Sequence, residues 1–113
     1  MPPSVPAIGN DVRKGGVTEL AYSRTPLKAL HSLVRAWDDV VHDLPQVTQP
    51  LLLMRSAVDH VVPASSSALL LSRVSSKDVT EVILEDSYHV ATLDHDAERI
   101  FELSAEFARR VAG

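Results

Sequence analysis

Asp59 and His89 are the two residues of this 113-residue chain whose types and placement could do acid–base chemistry together. Each follows a short apolar run. Leu51-Leu52-Leu53-Met54-Arg55 precedes D-H-V-V-P, and Val82-Ile83-Leu84 precedes D-S-Y-H-V. A carboxylate bonded to an imidazole fixes the ring's tautomer and stabilises the imidazolium formed when histidine takes a nucleophile's proton. The chemistry requires the two side chains within about 2.6–3.2 Å, heavy atom to heavy atom. Taken singly, each has an ordinary explanation: Asp59 as a turn former, His89 as a helix cap or solvated residue. Their joint placement, with strand and helix between them and a helix after, is what favours chemistry.

The elements that must position them are legible in the same stretch. Leu51–Arg55, entered from Pro50, reads as a strand buried on both faces of a parallel sheet. Pro63-Ala64 opens a helix over about 64–75 with Leu69, Leu70 and Val74 inward, and Val79–Leu84 is the next strand. The last helix spans about 94–111. Asp94, Asp96 and Glu98 lie at its positive end and Arg109 and Arg110 near its negative end, over a stripe of Ala97, Ile100, Phe101, Phe107, Ala108 and Val111.

Upstream, Thr25-Pro26 reads as N-cap and first position of a helix over 26–43, which stops before Pro45. Leu27, Leu30, Val34, Trp37, Val41 and Leu44 give it an apolar stripe, a core face or else the lining of an apolar substrate channel. Residues 1–25 are punctuated by proline and glycine, so little regular structure is expected beyond a turn of helix near Val17–Leu20. The order α-β-α-β-α implies parallel strands with crossover helices. The loops after the two strands then leave one sheet edge, where sites of such folds form.

Composition narrows the classes further. Net charge is −4 and the eleven Lys and Arg are scattered, so no nucleic-acid footprint is expected. The chain has no cysteine, which removes disulfides, thiolate catalysis and Cys-based zinc sites. No apolar run approaches the roughly 20 residues of a membrane-spanning helix. The start, M-P-P-S-V-P-A-I-G-N, lacks a basic n-region and an apolar h-region, and a cytoplasmic protein is the default expectation. Aromatics make up 4%, so the core must rest on aliphatic side chains.

The runs P-L-L-L-M-R-S-A-V-D-H-V-V-P and S-S-K-D-V-T-E-V-I-L-E-D-S-Y-H-V-A-T-L-D-H-D resemble the C-terminal part of bacterial α/β-hydrolase carboxylesterases, close to the monoacylglycerol-lipase-like group. The stretch G-N-D-V-R-K-G-G-V-T-E-L-A-Y-S-R-T-P resembles the end of their small cap. The resemblance implies an α/β fold: two to three parallel strands with flanking helices over 26–113, and a cap-derived, irregular segment over 1–25. By position, Asp59 matches the triad acid and His89 the triad base. It also implies hydrolysis of carboxylic esters or monoacylglycerols without a cofactor.

One departure from the family pattern is decisive. Its nucleophile sits in G-x-S-x-G on a strand-to-helix turn. Here glycine occurs only at 9, 15, 16 and 113, and none flanks a serine in that spacing. The oxyanion-hole loop is missing as well. Met1 is therefore expected to fall inside a longer reading frame, and the 113 residues are expected to be inactive alone.

Ser65, Ser66 and Ser67 read as first-turn capping or solvated residues of their helix and Ser87 as a loop brace, not as substitute nucleophiles. His31, His42, His60 and His95 lack zinc-site spacing and read as surface or packing residues. Two rivals stay open. The chain could be a non-catalytic piece that associates through a bare sheet edge. It could also come from a peptidase or thioesterase, since Asp and His are common to all of these.

Overall fold

The computed structural model describes residues 3–113, and its centre is a parallel pair of strands, β3 (Leu51–Ser56) and β4 (Val79–Leu84). They run in register from Leu51 opposite Val79 to Ser56 opposite Leu84. The intervening α2 (Ala64–Arg73) is their crossover. Because the strands end level, the segments after Ser56 and Leu84 leave the same edge; the Ala57 N–H bonds the Leu84 carbonyl at 2.9 Å there. A second sheet is an antiparallel ribbon of β1 (Ser4–Pro6) and β2 (Arg24–Pro26), which leads into α1 (Leu27–Asp43). A single 3₁₀ turn, Ala91–Leu93, separates β4's loop from α3 (Ala97–Ala112).

The two strands and three helices match the sequence reading in type and order. The segment expected to be irregular holds the β1–β2 ribbon, α2 ends at Arg73 instead of near 75, and other details differ as well. Thr25 does not cap α1, because it is paired with Val5 in the ribbon; Pro26 takes the cap position, and the Leu27 N–H is accepted by the Pro3 carbonyl at 3.0 Å. Val17–Leu20 is not helical but runs through a loop tied by Asn10, whose side chain accepts the Glu19 N–H and donates to the Val17 carbonyl. Pro63 stands at the start of α2 without a side-chain cap, so Ser65–Ser67 do not supply one. α3 starts at Ala97 instead of 94, because the Asp94 carboxylate is engaged by main-chain N–H groups elsewhere.

Burial departs most from expectation. β3 is partly exposed from Leu51 to Arg55 instead of sealed on both faces, since two strands and the helices of this chain cover only part of it. Leu84 is the buried hydrophobic residue among the described residues. The α1 stripe splits: Leu27, Leu30, Val41 and Leu44 are half-buried, whereas Val34 and Trp37 are exposed. On α3, Phe101 and Val111 are exposed and Phe107 is half-buried under the Arg110 guanidinium, 5.2 Å from its ring centre. Arg110 also pairs with Asp78 at 2.7 Å, joining the end of α3 to the entry of β4. Among the described residues, no helix is long and apolar enough to cross a membrane.

Candidate active site

The two loops at the shared strand edge bring Asp59 and His89 together: His89 Nδ1 lies 3.0 Å from Asp59 Oδ2. The other carboxylate oxygen, Oδ1, accepts the N–H groups of Val61 and Val62, each at 2.8 Å. This Asx-type turn aims Oδ2 at the imidazole. Burial acts to raise the Asp59 pKa, but the Val62 N–H, the His89 ring and the Val61 N–H outweigh it and hold the carboxyl below its ordinary 3.8. An ionised carboxylate only accepts, so Nδ1 carries the proton and Nε2 keeps its lone pair. The ring thus presents its basic nitrogen away from Asp59. The His89 side chain is 38% exposed, open enough for a reacting group to reach it.

Beside the pair lies a cavity of about 270 Å³ lined by Met54, Ser56, Asp59, Ser67, Leu84 and His89. Ser67 shares the cavity, but among the described residues no hydrogen bond joins it to His89. Ser56 ties the strand end to the histidine loop by donating to the Tyr88 carbonyl at 2.6 Å. Ser87 braces that loop, as its sequence position implies. It is 2% exposed, donates to Asp96 Oδ2 at 2.8 Å and accepts the Asp96 N–H at 3.1 Å. His31, His42 and His95 are exposed. No group of three or more His, Cys, Asp or Glu side chains among the described residues could hold a metal ion.

Two further carboxylates, marked by no motif in the sequence, belong to this site. Asp11, 6% exposed, bonds the His60 ring through Oδ1 at 2.7 Å and accepts the N–H of His60 and of His89 through Oδ2. His60, expected as a surface or packing residue, in addition stacks edge-on against Tyr88 with ring centres 4.7 Å apart. Asp94, 3% exposed, accepts the N–H groups of Arg13, Lys14, Tyr88 and His95. Both carboxylates fasten the N-terminal loop to the site. Main-chain N–H acceptance leaves no mark on the side-chain types of the partners, so neither link could be read from spacing.

Burial opposes ionisation of Asp11 and Asp94 too, and in both cases the bonds they accept win and lower the pKa below 3.8. The unfolded chain therefore takes up protons first as the pH falls. Stability from Asp11, Asp59 and Asp94 is fully present above the ordinary carboxylate value and is lost as the pH drops through the depressed values. The urea midpoint is expected to fall between about pH 6 and about pH 3, and an unchanged midpoint would show that the three carboxylates do not stabilise the fold.

Parallel strands, a crossover helix, and an acid and a histidine off one edge define part of an α/β hydrolase. Residues 12–96 match the family described as Serine aminopeptidase, S33, and the chain belongs to it. It is 38% identical over its whole length to a thermostable monoacylglycerol lipase of Bacillus sp. (strain H-257), and covers 45% of that protein. A carboxylesterase of Bacillus subtilis (strain 168) is 23% identical over 80% of the chain and 37% of its own length.

Solved structures agree. One, from work on the metagenome-derived lipolytic enzymes LipS and LipT, superposes with a TM-score of 0.92 at 41% identity over 97% of this chain and 45% of its own. The Paleococcus ferrophilus monoacylglycerol lipase shares the fold at a TM-score of 0.68 and 21% identity, over 78% of this chain and 35% of that one. The chain spans less than half the length of the curated relatives it matches.

Proposed function

We propose that this chain carries the acid–base half of a serine carboxylic ester hydrolase of the carboxylesterase or monoacylglycerol-lipase type. The 3.0 Å contact between His89 Nδ1 and Asp59 Oδ2 supports this reading. Asp59 holds the Nδ1–H tautomer and stabilises the imidazolium. His89 Nε2 accepts the proton of an attacking serine hydroxyl and then delivers it to the departing alcohol. That serine, and the donors for the oxyanion, lie outside these 113 residues, since no G-x-S-x-G occurs in them. Residues 1–25 belong in this reading to the cap, and 26–113 to the C-terminal part of the core.

Ester hydrolysis is preferred to peptide hydrolysis because the two named relatives are a lipase and a carboxylesterase, although the family's description is that of an aminopeptidase. The purified chain, incubated with a chromogenic short-chain ester, is expected to show no turnover above buffer. Turnover abolished by His89→Ala would contradict the assignment of the nucleophile to a segment outside this chain. Cleavage of an aminoacyl chromogenic amide under the same conditions would instead favour the peptidase reading.

A further inference from the structure

From the bonds it makes to both site loops, we infer that Asp11 is a positioning residue for the Asp59–His89 pair. The inference rests on the acid–base reading above but concerns what sets the pair's geometry. Asp11 Oδ2 accepts the His89 N–H at 2.9 Å and the His60 N–H at 3.2 Å. One of these amides belongs to the base itself, the other to the residue next to the acid. A single oxygen thus fixes the backbone of both partners relative to one point. The Asp11 carbonyl adds a third tie by accepting the Val90 N–H at 3.2 Å.

Asp11 is itself held. Its N–H is accepted by Glu19 Oε1 at 3.0 Å, the Glu19 N–H is accepted by Asn10 Oδ1 at 2.8 Å, and Oδ1 of Asp11 accepts from the His60 ring. The contrast in exposure matters: Asp11 is 6% exposed, whereas the His89 side chain is 38% exposed and bonded to Asp59, so the anchor of the His89 backbone lies on the buried side of the pair. Imidazole orientation to within a few tenths of an ångström is what a triad requires of its supports. The cap-derived segment therefore reaches the acid–base pair through a carboxylate, and sets its alignment from a distance of 49 and 78 residues in sequence.

Histidine ring nitrogens report this directly in the intact chain, without any need for turnover. In long-range ¹⁵N–¹H spectra above the histidine titration, the His89 ring is expected in the Nδ1–H form. Asp11→Ala is expected to shift it toward the Nε2–H form that an unpaired imidazole prefers, with strand amides of β3 and β4 unmoved. Asp11→Asn keeps an oxygen for the two N–H groups and is expected to retain the Nδ1–H form at His89, while the His60 ring changes. Retention in Asp11→Ala, or loss in a folded Asp11→Asn, overturns the inference.

Should Asp11→Ala fail to fold, amide exchange in the unaltered protein decides. The His60 and His89 amides are expected to exchange roughly tenfold or more slowly than open-loop amides, the scale of one net hydrogen bond. Open-loop rates at both would refute the anchoring. None of these outcomes touches the roles of Asp59 and His89 in catalysis, which stand or fall on the rate effects of their own substitutions.

Discussion

His89→Ala is expected to lower kcat by about 10⁶-fold, and Asp59→Asn by about 10⁴-fold, in a protein that joins this chain to a segment supplying the proposed serine. The Bacillus sp. (strain H-257) lipase offers such a segment, because this chain aligns over its whole length with 45% of that protein. In a chimera that joins the part of that lipase not covered by this chain to these 113 residues, the proposal places the serine that His89 Nε2 faces in the added part. Asp59→Asn should leave KM nearly unchanged, since the carboxylate bonds the ring and not the ester. Its loss arises because an amide in place of Oδ2 no longer enforces the Nδ1–H tautomer. Residues that act as a unit are not additive, so the double variant is expected to be no worse than His89→Ala. Multiplied losses in the double variant would mean that the two side chains act separately, and equal kcat with and without Asp59 would remove it from the pair.

The largest effect on folding is expected at Asp94, where substitution by alanine should cost on the order of 3–5 kcal/mol. Its two oxygens accept four main-chain N–H groups: Lys14 and His95 at 2.9 Å, Tyr88 at 3.1 Å, and Arg13. Alanine leaves those donors facing one another in a place that is 3% exposed at Asp94 itself. A buried donor without a partner costs about 1–3 kcal/mol, less where water enters the space vacated. Such a loss is a large share of the 5–15 kcal/mol typical of a whole domain. Asparagine should be nearly as damaging, because its amide sets two donors against two donors. The check is a urea titration in which the midpoint falls while the slope holds. A shift worth less than about 1 kcal/mol would mean that the N-terminal loop finds other acceptors.

The parts of this fold that the sequence discloses are those governed by side-chain pattern. Val79–Leu84 is bounded as expected, ending on the apolar Val82-Ile83-Leu84, and Pro45 and Pro50 bracket the approach to β3. Asp59 and His89 stand out because each follows a strand, and parallel pairing carries both to one edge. The ribbon of β1 and β2 is different: two three-residue strands carrying proline offer too little alternation to register. Asp11 and Asp94 look like ordinary loop acids, and what distinguishes them is bonding to main-chain groups as far as 81 residues away. The periodicity of α1 correctly gives an amphipathic helix. It says nothing of how much of the apolar side this chain covers, which is why Val34 and Trp37 are found exposed.

Trp37 is the only tryptophan of the chain, and it stands 52% exposed on that uncovered side of α1. Indole emission moves with the polarity of its surroundings, so the helix carries an optical reporter of its own covering. In the chain by itself the emission belongs at the long-wavelength, water-exposed end. Any polypeptide or surface that seats against α1 will draw it toward the blue, and complementation between this chain and a separate segment that binds there can be followed as a colour change in an unlabelled protein.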